Sequence, residues 1–279
     1  MMGSRRFPAL PELAVLAGLA LALGGCQPAS FGDITGSTPA AMPQDPSALR
    51  AYADDLGKKY DRRPDDKTTA LAYARVLKRL TQYAQATAVL QRIAVKYPHD
   101  LEILAAYGKA LADAGRLQEA AEVLDRAHTP ERPNWSVLSA QGSVADQLGN
   151  HDQAQSYYTA ALKIVPDQPE VLSNLGLSYA LQRQMPNAEK TLRQAAAQPG
   201  ADMRVRQNLA LVLALQGKFA EAEEVSRRDL SPIDAAANVT SIRQMIAQSD
   251  TWKDIKTIGR KSAKQTPDLG RSPQEGPQG

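Results

Sequence analysis

A column of small residues recurs every 34 positions along this chain, and it constrains the fold more than any other feature. Its members are Ala74, Gly108, Gly142, Gly176 and Ala210. A second column, twelve positions later, holds alanine in every copy: Ala86, Ala120, Ala154, Ala188 and Ala222. A 34-residue period is typical of a helix–turn–helix unit that stacks into a solenoid. Such an array presents a long concave surface that other proteins can occupy.

The repeat also carries larger residues and helix breakers at fixed places. The segment 172–195 is the best copy, with Leu172, Leu175, Gly176, Tyr179, Ala188 and Leu192 in register. This pattern resembles the tetratricopeptide repeat, W-x2-L-G-x2-Y…A-x3-F…P. The resemblance implies an all-α, right-handed solenoid of about five helix pairs with a capping helix at each end.

The period also divides the chain. The repeats are predicted near 67–100, 101–134, 135–168, 169–202 and 203–236, and with their flanking caps they form a solenoid over residues 47–257. Residues 258–279, which include three prolines, are predicted to be a disordered tail.

The first residues have a different composition. Arg5 and Arg6 precede an apolar stretch at 10–23, which ends in the sequence LGGC. This layout predicts a signal peptide over residues 1–25. Its end resembles a bacterial lipobox, which implies lipidation of Cys26, the one cysteine in the sequence. Residues 26–46 would then be a lipidated, flexible tether with a mean reach of about 25 Å.

The lipobox also implies a location. By analogy with lipoprotein sorting in enteric bacteria, a residue other than aspartate after the cysteine favours the outer membrane, and here that residue is Gln27. We therefore expect a chain that is lipid-anchored on the periplasmic face of the outer membrane.

Signs of catalysis or of nucleic-acid binding are weak in this sequence. The three histidines lack metal-ligand spacing, and no phosphate-binding glycine loop or nucleophile motif occurs. Removal of residues 1–25 leaves 31 basic and 29 acidic residues of the original 33 and 30, which is little charge for a nucleic-acid partner. We expect no enzyme activity, cofactor, metal, nucleic acid or small-molecule substrate.

The repeat family suggests where a partner would bind, because its first helices line the groove. The groove positions predicted in this way are Arg75 and Lys109 at a basic front end, and Asn174, Leu177, Leu181, Asn208, Leu211 and Leu215 at an apolar back end. Asn174 and Asn208 share one column and offer a donor and an acceptor to a peptide backbone. The alternative is that asparagine is simply common in this column.

The stretch at 238–256, NVTSIRQMIAQSDTWKDIK, resembles the end of the TadD-like lipoproteins of the tight-adherence (Tad/Flp) pilus machinery. The resemblance implies a non-enzymatic periplasmic scaffold that helps to assemble the pilus and its outer-membrane secretin. Its partners would be proteins of that machinery, the secretin among them. The alternative is a lipoprotein adaptor that presents substrates to periplasmic proteases or cell-wall hydrolases.

Overall fold

The computed structural model describes residues 42–264, and the side chains of residues 42–248. Within that range the chain forms twelve α-helices and no strand. The helices are α1 (Pro46–Arg62), α2 (Lys67–Arg79), α3 (Tyr83–Lys96), α4 (Leu101–Asp113), α5 (Leu117–Asp125), α6 (Trp135–Gln147), α7 (His151–Ile164), α8 (Pro169–Leu181), α9 (Met185–Ala197), α10 (Met203–Leu215), α11 (Phe219–Ser226) and α12 (Pro232–Lys264). The predicted all-α fold class is confirmed.

Five helix pairs repeat with the spacing of the small-residue column. The first helices (α2, α4, α6, α8 and α10) begin at Lys67, Leu101, Trp135, Pro169 and Met203, each 34 residues after the last. The second helices (α3, α5, α7, α9 and α11) begin at Tyr83, Leu117, His151, Met185 and Phe219, with the same spacing. Both helices of a pair therefore keep one register along the array.

Side-chain caps explain why most first helices begin where they do. Asp66, Asp100, Asn134 and Asp202 share one column, and each side chain accepts a hydrogen bond from a backbone N–H of the first turn. Such a cap satisfies donors that the helix itself leaves unpaired. The fourth copy has Gln168 instead, without a side-chain cap, and it is followed by Pro169, whose fixed φ suits the first helical position.

The turn between the two helices of a pair requires one residue with positive φ. Glycine holds this position in three copies, at Gly115, Gly149 and Gly217. Thr81 and Arg183 adopt the same left-handed backbone in the other two, with φ of 59° and 61°. This conformation places an L-residue's Cβ too close to its own carbonyl oxygen. The first and fourth turns are therefore strained.

The small-residue column marks the closest approach of the two helices in a pair. A Cβ built on Gly142 would lie 2.5 Å from Cε1 of Tyr158, and one on Gly108 or Gly176 would lie 2.6 Å from a leucine Cγ. Tyr158 and its equivalents Leu90, Leu124 and Leu192 are fully buried. The residues that face the small column thus fill the centre of each pair.

Contacts between helices show which layer faces inward. Each helix packs against the next one along the chain, and first helices of adjacent pairs also touch one another. Among the described residues, the backbones of second helices in adjacent pairs do not approach one another in this way, although side chains of α9 and α11 do meet. The first helices therefore form the inner layer of the array, and α12 continues this layer by packing against α10.

The two ends depart from the regular pair. At the front, Leu49, Ala53 and Leu56 of α1 form a small core with Val76. At the back, α12 continues to Lys264, so residues 258–264, which the sequence assigns to a disordered tail, have helical backbone. Residues 1–41 and 265–279 lie outside the described part, and with them the predicted signal peptide, Cys26, and most of the predicted tether. No helix in the described part has the length and apolar character to cross a membrane.

An ion-pair cluster joins the second helices of the fourth and fifth pairs. Glu189 lies 2.6 Å from the Lys218 amino group and 2.8 Å from the Arg193 guanidinium. Hydrogen bonds from these cations lower the pKa of Glu189 from 4.5 to about 2. Its side chain is only 14% exposed, so the charge is partly shielded from water.

We expect Thr81→Gly to raise the free energy of unfolding by about 0.5–1 kcal/mol. Relief of the left-handed strain, about 1–2 kcal/mol, exceeds the extra unfolded-state entropy of glycine. Urea denaturation of the two proteins measures the difference. Thr68→Gly serves as the control, because Thr68 lies inside α2 and does not have the left-handed backbone. Glycine at this helical position should lower the free energy of unfolding. A loss of stability in Thr81→Gly would contradict the strain.

We expect Glu189→Gln to lower the free energy of unfolding by about 1–2 kcal/mol at neutral pH, a range reduced for the exposure of the two cations. A depressed folded-state pKa stabilises the protein above the unfolded value of 4.5, and this contribution disappears as the pH falls towards 2. Denaturation at a series of pH values should therefore show the two proteins converging in acid. The exposed Glu224→Gln removes the same formal charge and should show no comparable pH-dependent difference.

Candidate functional site: the inner face of the helix array

The inner face changes its chemistry from one end to the other. At the ninth position of successive first helices lie Arg75, Lys109, Ser143, Leu177 and Leu211, and the next residue in this column, on α12, is Met245. The series runs from basic through polar to apolar. Four of the five residues on the first helices are partly exposed, and Lys109 is buried, so most of this column is open to a partner.

The back end of the inner face is an exposed apolar surface. We name it the apolar stripe: Leu177, Leu181, Leu211, Leu215 and Met245. Leu181 is 59% exposed, Leu215 43% and Met245 48%, while Leu177 and Leu211 are half-buried. The stripe crosses three successive helices that contact one another, α8, α10 and α12. Exposed apolar side chains on neighbouring helices are typical of an interaction site.

The four leucines of the stripe are among the groove positions that the family resemblance implies, but Met245 is not among the predicted site residues. The signal was available, because Met245 lies 34 residues after Leu211. It was missed because α12 begins at Pro232 rather than at the in-register position 237, and carries Gln244 in the small-residue column.

The front end is basic, but its cations are partly engaged within the protein. Lys109 is only 7% exposed, and its amino group donates to the Ser136 hydroxyl at 2.7 Å. The Lys78 amino group lies 2.9 Å from the carboxylate of Asp113, whose side chain is 3% exposed. Burial raises the pKa of Asp113, although Lys78 and Lys109 oppose this shift. Arg75, the other predicted residue, is half-buried.

The two predicted asparagines join neighbouring repeats. The Asn174 amide donates to the Ser139 hydroxyl at 3.4 Å, and the Asn208 amide donates to the Ser173 hydroxyl at 3.0 Å. Both bonds run 35 positions back along the chain, so they form one repeated link between first helices. Asn174 is buried, with 8% exposure. These amide donors therefore hold the wall of the inner face together.

A buried polar cluster lies at the junction of the third and fourth pairs. Asp146 accepts hydrogen bonds from the Ser178 hydroxyl at 2.8 Å and the Tyr158 hydroxyl at 3.1 Å, and Nδ1 of His151 lies 2.8 Å from it. Burial, with Asp146 nearby, raises the pKa of Tyr158 well above its usual value. Ser178 donates to the aspartate rather than to His151, so this arrangement lacks the serine–histidine contact that activates a nucleophile.

This cluster was not found from the sequence, because its members are scattered over three helices and belong to no motif. Its place indicates a structural role, since it ties α6 and α7 to α8. Throughout the described residues, no group of three histidine, cysteine, aspartate or glutamate side chains is placed to hold a metal ion.

Comparison with known proteins agrees with this architecture. Residues 71–134 and 139–202 match the family model described as tetratricopeptide repeat. A thermophilic repeat protein of this kind from Thermus thermophilus, TTC0263, is 23% identical, with a TM-score of 0.57, and the match covers 63% of this chain and 98% of that one. PilW, a widely conserved type IV pilus biogenesis factor, is 16% identical, with a TM-score of 0.60 and coverage of 70% and 91%.

Two curated proteins also match parts of the chain. The uncharacterized protein y4yS of Sinorhizobium fredii is 29% identical over 117 residues, which are 42% of this chain and 64% of that protein. Human tetratricopeptide repeat protein 7B is 30% identical over 126 residues, which are 45% of this chain and 14% of that protein. The chain thus spans less than two thirds of the length of both.

The fold and the inner face define a helical-repeat solenoid, a class that serves as a scaffold for protein–protein interaction. The match over residues 71–134 and 139–202 agrees with the resemblance of the columns to the tetratricopeptide repeat. The predicted solenoid is confirmed as well. None of these comparisons connects the chain to the tight-adherence pilus.

We expect Asn208 and Ser173 to be energetically coupled. Asn208→Ala should lower the free energy of unfolding by about 1 kcal/mol, the usual net value of such a hydrogen bond. In a double-mutant cycle with Ser173→Ala, a coupling energy of about 0.5–1.5 kcal/mol should appear. Gln207→Ala, at the neighbouring position, is the control and should show no coupling to Ser173. Strict additivity for Asn208 and Ser173 would mean that the amide does not stabilise the array.

Proposed function

We propose that this chain is a lipid-anchored periplasmic scaffold of the outer membrane, which holds a partner on its inner face during assembly of a Tad/Flp pilus and its secretin. The observation that carries the proposal is the apolar stripe. Leu181 and Leu215 are the last residues of α8 and α10, and both are exposed on the same column. Apolar side chains that repeat in register at the surface are explained by a partner that covers them.

The anchor is supported by the sequence of the first residues. A basic start, an apolar stretch and LGGC form a lipoprotein signal, and Cys26 would carry the lipid. Several acyl chains would make the attachment stable, whereas one chain alone anchors only marginally. The tether would then keep the repeats within about 25 Å of the membrane surface.

The pilus role is supported by the resemblance of residues 238–256 to TadD-like lipoproteins. PilW, whose fold is similar, is a type IV pilus biogenesis factor. At 16% identity this likeness concerns the fold alone, so a pilus factor can have this architecture, but the role does not transfer with it. The secretin is the partner that the proposal expects.

Crosslinking of the full, tagged chain in its native cells, followed by purification, should recover the pilus secretin. Leu181→Glu with Leu215→Glu should abolish the recovery, because two buried charges would replace apolar contacts. Val95→Glu with Ile164→Glu is the matched control, since these residues are 79% and 39% exposed and lie on second helices. This control pair should leave the recovery unchanged.

Cys26→Ser should release the chain from the membrane fraction and lower the amount of assembled secretin. Recovery of periplasmic proteases or cell-wall hydrolases, with no secretin, would refute the pilus role and support the adaptor alternative. Normal surface pili and secretin levels in cells that lack the chain would also contradict the proposal.

A further inference from the structure

The last helix, α12, is much longer than the helices it packs against. It has 33 residues, whereas α10 has 13 and α11 has 8. At 1.5 Å per residue, α12 is about 50 Å long and α10 about 20 Å. A helix in register with α10 would end at residue 249, 34 residues after Leu215. Residues 250–264 are therefore helical backbone beyond the length of a first helix.

The residues that attach α12 to the array have no apolar continuation in this extension. Ala235 and Ile242 are buried, and Ile246 packs against the same core. An α-helix completes five turns in 18 residues, so the same face returns at positions 253, 260 and 264. All three positions are basic: Lys253, Arg260 and Lys264. The extension is therefore unsuited to prolong the packing of α12 on the array.

The apolar residues of the extension belong to another side of the helix. At 100° per residue, Trp252, Ile255 and Ile258 fall within an arc of about 120°, centred roughly opposite the residues that face the core. Lys256 and Lys261 flank this arc on its two sides. Residues 249–264 hold five basic and two acidic residues, so their net charge is +3. The extension is thus a basic amphipathic helix.

This combination favours a membrane surface as the occupant of the apolar arc. Helices that lie in a membrane interface have basic residues on the polar face and tryptophan or aliphatic residues on the other. Three apolar residues are few for a stable protein interface, which takes about 20–30 residues a side. A flat anionic surface can contact the arc and both flanking lysines together.

We propose that residues 249–264 form a membrane-surface helix, with Trp252, Ile255 and Ile258 at the acyl boundary and the basic residues among anionic phospholipid headgroups. The inference rests on the proposed function for the nearby membrane, but not for the pilus role. The tether expected at the front of the array and this helix at the back hold the array along the membrane surface.

The test uses the fluorescence of Trp252 in the full chain reconstituted into vesicles. The sequence has two tryptophans, so Trp135→Phe leaves Trp252 as the single reporter. The vesicles contain phosphatidylcholine with brominated acyl chains, with or without about one third phosphatidylglycerol, because interfacial helices respond to lipid composition. Bromine should quench Trp252 at least about twofold more strongly in the anionic vesicles, and added salt should reduce this difference.

Charge-reversal variants in the same background assign the effect to the extension. Lys256→Glu with Lys261→Glu should lower the quenching in anionic vesicles to the value in phosphatidylcholine alone. Lys58→Glu with Arg62→Glu is the matched control, because both residues are exposed on α1 and the change of charge is the same. This control pair should leave the quenching unchanged. Far-UV circular dichroism verifies that each variant keeps its helices.

Three results would overturn the inference. The first is equal quenching of Trp252 in the two kinds of vesicle, and the second is an equal loss of quenching in the α1 control. The third is protection of Trp252 only after a purified secretin is added, because a protein would then cover the helix. If Cys26→Ser releases the chain from the membrane fraction while Trp252 in the intact chain stays unquenched, only this inference falls and the proposed anchor stands.

Discussion

The close approach of the two helices in each pair is the contact on which the rest of the array depends. At Gly142 the first helix leaves room for the Tyr158 ring, and a single added Cβ would lie 2.5 Å from that ring. Interiors are packed too densely to absorb such an overlap without movement. A close approach at the same position makes the pairs similar, although their second helices differ in length. Similar pairs then stack in one register, so the 34-residue period of the sequence becomes a regular order of helices.

That regularity separates folding from binding. The residues that face the small column are buried, and so are the alanines of the second column. Apart from Lys109 and Asp113, whose side chains are buried, the residues at the ninth and thirteenth positions of the first helices lie on the inner face and are partly or fully exposed. They are therefore free to differ between copies, and they do: Arg79 and Leu181 occupy the same position in the first and fourth pairs. Residues in the columns that do not pack the core can therefore determine which partner binds.

Local sequence patterns predict part of this structure. Side-chain contacts between repeats could not be predicted from them. The starts of the first helices, at Lys67, Leu101 and their equivalents, follow from the 34-residue period, and the groove leucines Leu181 and Leu215 follow from the family resemblance. The burial of Lys109 does not, since it depends on Ser136, which lies 27 residues away on the next first helix. The same holds for the asparagine links, which span 35 residues. The period states which residues share a column, but not which side chains meet across it.

The arrangement of charge and apolar surface along one face has a physical consequence for recognition. Charges act over about 8–10 Å in physiological salt, so a basic end attracts an acidic segment before any contact forms. Apolar side chains act only in contact, and they contribute to affinity by slowing dissociation. The basic and the apolar surface lie at opposite ends of the array. A segment bound in the reverse direction can contact one of these surfaces but leaves the other uncovered. In the proposed scaffold, such a face would select the direction of its ligand as well as its composition.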